Sequence, residues 1–226
     1  MTDDGGRAAR YVAIITDGNG RWARARGLDV AAGHRAGADV VKARLRDAVD
    51  FGIRELTVYS FSTENWSRPA GEVAALMSMF SERILGETPE LEAEGVRMRF
   101  IGRREGVSDA LLEQMDWAEA HTAHNDRITL YVAFNYGGRA EILDAASKYT
   151  GGGEDAFRRL LYAPEMHDPD LIIRTSGEQR TSNYLLWQAA YAELVFRDEL
   201  WPDFTREAFA ASLAEYESRR RRFGGR

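Results

Sequence analysis

The chain of 226 residues carries 30 Lys plus Arg against 36 Asp plus Glu, a formal net charge of −6, and 44% of its residues are hydrophobic. That length suits one well-buried domain, and the balance excludes a chain disordered throughout, a fibre or a repeat array. Cysteine is absent, which removes disulfides, thiolate zinc sites and cysteine nucleophiles, and the acidic balance argues against generic nucleic-acid binding.

Residues 1–10 are polar and lack the apolar core of a signal peptide. They are expected to form a flexible tail ahead of one catalytic domain over 11–226. The first strand candidate is 11–15, and no apolar run approaches the roughly 20 residues that span a bilayer, so a cytoplasmic protein is expected. Val40, Val41, Leu45, Ala48 and Val49 then fall at helical spacing, with Gly52 as the stop. A strand over 56–61 follows. Val73, Leu76, Met77, Phe80 and Ile84 mark a second amphipathic helix, in which Gly86 and Pro89 predict a kink or an early stop. Further strands are expected at 96–101, 128–134, 171–173 and 194–196, with a glycine-rich surface loop at 150–154. A closing helix carries Phe209, Leu213 and Tyr216 ahead of the basic run 219–222. Strand and helix alternating in this way predict an α/β fold, a single domain whose central, mostly parallel sheet is flanked by helices.

Three polar blocks follow strand candidates. The densest is Asp17-Gly18-Asn19-Gly20-Arg21-Trp22, just ahead of Gly33-His34-Arg35-Ala36-Gly37. Ligands of open α/β sheets collect at the carboxyl ends of strands, and glycines let backbone N–H groups approach an anion. A carboxylate beside a phosphate is repulsive unless a cation intervenes, so Asp17 suggests Mg²⁺ held between it and phosphate oxygens. Taken alone, the block reads as a turn. An EF-hand is excluded because Leu28 occupies the twelfth loop position, and neither a Walker loop nor a dinucleotide fingerprint occurs. The second block, residues 174–183, supplies Arg174, Arg180 and Ser182 for another diphosphate, against the alternative of a helix cap with surface arginines. The third, residues 62–69, holds Asn65 and Trp66, the latter either an anchor in the core or a wall of the site.

Five blocks in order resemble the cis-prenyltransferases, the undecaprenyl diphosphate synthase family: 17–22 with Gly33 and His34, 59–69, 135–139, 174–180 with Ser182 and Asn183, and 191–193 with 200–204. The resemblance implies condensation of isopentenyl diphosphate with an allylic diphosphate to form a Z double bond, on a homodimer with a hydrophobic tunnel in each sheet-and-helix domain. It assigns Mg²⁺ to Asp17 and Glu193, and the allylic diphosphate to Gly18, Asn19, Gly20, Arg21 and His34, with Trp22 along the prenyl chain. Arg174, Arg180 and Ser182 take the isopentenyl diphosphate. Ser62, Glu64, Trp66 and Arg68 join the substrate-binding set, and Asn65 orients the acceptor while phosphate oxygens take the proton. The run 219–222 with Phe223-Gly224-Gly225 resembles an arm that reaches into the partner subunit.

The chain departs from the family at Val30, where an Arg is common, which leaves Arg24, Arg26 or Arg35 as alternatives to compensate. Thr16 replaces a common Met, and Ser176 and Gln179 stand where Gly and His are frequent. Ser60, Met77, Phe80, Ile84 and Leu130 are the candidates for closing the tunnel. A long-chain product serving as a cell-wall lipid carrier is expected, released at a membrane surface, with a short Z-prenyl diphosphate as the alternative. A non-catalytic subunit of this fold is the rival class. The trans prenyltransferases are disfavoured because no Asp-Asp-x-x-Asp occurs, and an α/β hydrolase because Gly-x-Ser-x-Gly is missing.

Overall fold

The computed structural model describes residues 8–219. Six strands pair in parallel throughout: β1 (Tyr11–Ile15), β2 (Glu55–Ser62), β3 (Val96–Ile101), β4 (Ile128–Tyr136), β5 (Leu171–Arg174) and β6 (Glu193–Phe196), in the order β3-β4-β2-β1-β5-β6. Seven α-helices flank them: α1 (Asn19–Ala25), α2 (Val30–Asp50), α3 (Ala70–Ala93), α4 (Asp109–His121), α5 (Gly138–Ala146), α6 (Gly153–Arg158) and α7 (Arg206–Ser218). The expected single-domain α/β fold with a parallel sheet is therefore present.

Alternation along the strands divides the core. Val12, Ile14, Leu56, Val58, Met98, Leu130, Leu171 and Ile173 pack on one face with residues of α2, α3, α4 and α7. Ala13, Ile15, Tyr131, Ala133 and Ile172 pack on the other with Ala163, Met166, Tyr184 and Leu185. The order also decides where function can sit. Neighbouring strands β2, β1 and β5 all end on one side of the sheet, and the three polar blocks are the segments that follow them.

Two local expectations are corrected. The early stop at Gly86 and Pro89 does not occur: α3 runs through both, Pro89 lying inside it. The carbonyl that Pro89 leaves unbonded belongs to the exposed Leu85, while Ile84, Thr88 and Leu91 bury the helix against the core. The glycine-rich loop is cut short because α6 begins at Gly153. Gly52, by contrast, follows α2 in the left-handed region (φ 77°), as a helix stop requires.

Candidate active site

After β1 the chain turns at Gly18 (φ 115°), where a Cβ would meet Leu200 Cα at 3.0 Å. α1 then crosses α2 at its glycines: Cβ atoms on Gly33 and Gly37 would each come within 2.2 Å of Asn19, of its carbonyl oxygen and its Oδ1 respectively. The second half of this motif thus serves close helix packing, and it fixes Asn19 between two cavities.

The first cavity, about 360 Å³, is polar. Its walls include Asp17, Gly18, Asn19, Gly20, Arg21, Arg24, His34, Asn65 and Arg68. The second, about 120 Å³ and mostly apolar, lies between α2, α3 and the face of β2, β3 and β4. Thr16, Asn19, His34, Ser60 and Leu76 line both, so one opens beside the other. Ser60, Phe80, Ile84 and Leu130 line the apolar cavity as expected. Met77 does not; Met79 takes that place, and Arg83 and Glu87 join the wall. Leu76, Phe80, Arg83, Ile84, Glu87 and Leu91 recur at three- and four-residue steps along one face of α3, and Met77 and Met79 lie on opposite flanks of that face, of which only the Met79 flank borders the cavity.

Asp17 is the electrostatic centre. Arg174, its side chain 5% exposed, donates from Nη2 to Asp17 Oδ2 at 2.9 Å. Its Nη1 donates to Ser182 Oγ at 2.7 Å and to the Arg180 carbonyl. Arg21 approaches Asp17 Oδ1 at 3.3 Å and donates to Ser176 Oγ at 2.5 Å. Burial alone would raise the Asp17 pKa, but hydrogen bonds involving Arg174 and Ser176 and the two arginine charges hold it below the usual carboxylate value. It is ionised at neutral pH. Burial, helped by the charge of Arg68 and opposed by Glu72, pushes His34 down to about 4, so its imidazole is neutral there.

The segment after β5 is strained. Ser176, Ser182, Asn183 and Leu185 all have positive φ, a region costly for side chains with a Cβ. Asn183 makes part of the return: its carbonyl accepts from Gly138 N–H, its Oδ1 accepts from Arg139 N–H, and its Nδ2 donates to Glu64. A Cβ on Gly137 would lie 2.6 Å from Thr63 Oγ1 and 2.8 Å from Asn183 Nδ2. The block 135–139 therefore draws the loops after β2 and β5 together. Of these residues only Asn183 is of a type that favours the left-handed region; the serines and Leu185 are not.

Asn65 lines the polar cavity; its Oδ1 accepts from Ser62 N–H at 3.0 Å. Ser62 caps that 3-10 turn, Thr63–Ser67, and Glu64 sits at the rim on Asn183, neither of them lining the two cavities. Arg180 is exposed and paired with Glu178. Three expectations change. Trp22 lines neither cavity, because its Nε1 donates to Asp203 at 2.7 Å and Arg26 stacks on its ring, tying α1 to the turn Trp201–Asp203. Trp66 takes the anchor role of its two readings and lines neither of these cavities: its Nε1 donates to Asn135 Oδ1 at 2.7 Å and it packs edge-on against Phe61.

The third concerns Glu193. It opens β6 on the level of Leu171 and Val12, three residues below the level of Ile15, Arg174 and Phe196, and two strands from β1. Each of those offsets is about 10 Å. Its carboxylate is held by Arg219 at 3.0 Å. Asp17 and Glu193 of one chain cannot share an ion. Among the described residues no group of three or more acidic or histidine side chains is arranged to hold a metal. One ionised, partly exposed carboxylate beside an anion pocket does fit Mg²⁺, which binds through one or two carboxylates, substrate phosphates and retained waters.

A parallel α/β sheet bearing cationic loops and a polar cavity that opens onto an apolar one defines an enzyme for substrates with an anionic head and a hydrocarbon tail. A family model described as "Putative undecaprenyl diphosphate synthase" matches residues 15–224. The chain is 50% identical to an isoprenyl transferase of Thermotoga maritima, over 97% of this chain and 98% of that one. It is 48% identical to an isoprenyl transferase of Caulobacter vibrioides, over 95% of this chain and 87% of that one. Among solved structures, lavandulyl diphosphate synthase from Lavandula x intermedia, in complex with dimethylallyl diphosphate, superposes with a TM-score of 0.92 at 32% identity, covering 96% and 99% of the two chains. The chain belongs to the undecaprenyl diphosphate synthase family and is a prenyl transferase.

Proposed function

We propose that this enzyme condenses isopentenyl diphosphate with an allylic diphosphate to give a Z-polyprenyl diphosphate, with Mg²⁺ as cofactor. The observation that carries the reading is the partly exposed Asp17, paired with the buried Arg174, at the mouth of a polar cavity continuous with an apolar one. The allylic diphosphate fits the polar cavity, where Arg21, His34 and the backbone around Gly18 and Gly20 offer donors. Its prenyl tail fits the apolar cavity, each buried CH₂ contributing about 0.8 kcal/mol. Bound Mg²⁺, held by Asp17 and phosphate oxygens, would neutralise charge on the departing diphosphate.

The allylic C–O bond breaks with its electron pair leaving on the diphosphate, where arginine and backbone donors stabilise the developing charge. The apolar walls keep water from the cationic carbon. The isopentenyl double bond supplies the electrons of the new C–C bond, and a proton then leaves to a phosphate oxygen as the Z double bond forms. The loop holding Arg174, Arg180 and Ser182 supplies the acceptor's diphosphate site, and Asn65 orients the acceptor through the amide that Ser62 leaves unused. For the isopentenyl diphosphate to engage Arg174, that arginine exchanges part of its present bonding to Ser182 and the Arg180 carbonyl.

A homodimer is part of the same proposal, since Glu193 can act on an ion near Asp17 only by serving the site of a second copy. The arm beyond Arg219, proposed to reach that copy, lies outside the described residues. The enzyme is read as cytoplasmic, with product released at a membrane surface; no helix among the described residues is long and apolar enough to cross one. The product is proposed to be long-chain, a cell-wall lipid carrier precursor. A short product is the second reading, favoured by the charged Arg83 and Glu87 in the wall of the apolar cavity. Purified chain incubated with labelled isopentenyl diphosphate, geranyl or farnesyl diphosphate and Mg²⁺, followed by product sizing, tests both. Absence of any elongated product overturns the function, and products of three or fewer isoprene units overturn the long-chain reading.

A further inference from the structure

Three guanidinium groups line the polar cavity: Arg21, Arg24 and Arg68. Two of them are engaged. Arg21 donates to the Ser176 carbonyl and hydroxyl and faces Asp17 and Glu178. Arg68 donates to Glu72 at 2.8 Å. Arg24 alone of the three has no hydrogen-bond or ion-pair partner among the described residues.

Its position is nevertheless defined. A Cβ built on Gly20 would lie 3.6 Å from Arg24 Nη1, 3.8 Å from Nη2 and 3.8 Å from Val30 Cγ1. The arginine, one turn after Gly20 on α1, therefore folds back over the bare backbone there, in the direction long side chains take on a helix. Val30 closes the far side of the same spot without offering a polar group. The neighbouring arginines are occupied elsewhere: Arg26 on Trp22 and Asp203, and Arg35 facing Asp29 at 3.7 Å.

We propose that Arg24 is a substrate-binding residue that clamps the diphosphate of the allylic substrate from above Gly20, an inference that rests on the proposed function. A guanidinium presents five N–H donors in a planar fork suited to paired phosphate oxygens. Arg21 and Arg68 must exchange existing bonds to accept a phosphate, and Arg24 gives up none. The alternative is an ordinary solvated arginine whose stem covers Gly20, which would leave substrate affinity untouched.

Replacement of this exposed side chain leaves the fold intact, so steady-state kinetics separate the two. In Arg24→Gln the KM for geranyl diphosphate is expected to rise about tenfold, the size of one charge-assisted bond in a partly exposed site. The KM for isopentenyl diphosphate and kcat stay within about twofold. The Kd for geranyl diphosphate measured by calorimetry without the second substrate rises in parallel. Val30→Arg in the Arg24→Gln background recovers part of the loss, because it returns a guanidinium to the same spot. Unchanged KM and Kd, equal weakening of both substrates, or no recovery with Val30→Arg each overturn the assignment. Should the wild-type chain bind geranyl diphosphate yet elongate nothing, the proposed function fails, and the Kd comparison still decides Arg24.

Discussion

The two ends of the sheet each hold an arginine–carboxylate pair, and the pairs behave differently. Arg174–Asp17, at the carboxyl end, sits with the arginine almost fully buried, its carboxylate shared with Arg21, in a loop whose backbone repeatedly enters the left-handed region. Arg219–Glu193, at the amino end, is about a third exposed on both sides and ties α7 to the start of β6. A partly exposed pair of the second kind is worth little in isolation. In the first pair the arginine is desolvated, a cost offset because Asp17, Ser182 and the Arg180 carbonyl all accept from it. Desolvation, donor convergence and strain together, and not the presence of opposite charges, distinguish a reactive site from a structural clamp.

The largest expected effect breaks the carboxyl-end pair: Asp17→Asn keeps the side chain's shape, removes its charge and lowers kcat/KM by about a thousandfold or more, read in the prenyl-elongation assay. Activity within tenfold of wild type would remove Asp17 from the mechanism. Next comes a test of whether the amino-end carboxylate serves a second copy. Asp17→Asn and Glu193→Gln, each impaired alone, regain about a quarter of the wild-type sites when the two proteins are unfolded and refolded together. Every mixed dimer then holds one site with both carboxylates intact. No recovery would place both groups in the work of one chain, against the geometry, or deny Glu193 a role.

A smaller effect concerns pH. His34 has a folded-state pKa near 4 against 6.5 in the unfolded chain, so between those values the unfolded state binds the extra proton. Stability is full above about pH 6.5 and falls as the pH drops toward 4, by up to about 3 kcal/mol. Asp17, whose pKa is also lowered, adds to the loss only at more acidic pH, below its ordinary unfolded value. Denaturant titrations from pH 4 to 7 should show a shallower pH slope for His34→Gln than for wild type; parallel curves would show that burial does not hold the imidazole neutral. The smallest effect is expected at Ser176 (φ 80°). Ser176→Gly relieves the left-handed strain and loses the hydroxyl that accepts from Arg21, so the two changes oppose one another and turnover stays within about threefold.

Elements set by neighbouring residues were legible in the sequence, and contacts between distant residues were not. The strand candidates 96–101 and 11–15 matched the folded elements, and the polar blocks at 17–22 and 174–183 were visible as glycine and arginine clusters after apolar runs. The role of Trp22 was not visible, because Asp203, its partner, is 181 positions away. Met77 and Met79 look alike in a helical pattern, and only the packing of α3 against the sheet selects the second. Glu193 lies near the other site residues in order, yet parallel pairing of β5 with β6 sends it to the opposite end.

By itself the sequence determined the alternation of elements, the absence of thiol chemistry and the residue types that can meet diphosphates, because side-chain periodicity and turn chemistry are local properties. Only the tertiary structure decided that β2, β1 and β5 lie side by side, so that the loop after β5 meets Asp17 and the loop after β2 walls the same cavity. It also decided which arginine stands unpaired above Gly20. Strand order and arginine pairing depend on contacts between residues far apart in the chain, whose free energies no window of neighbouring residues contains.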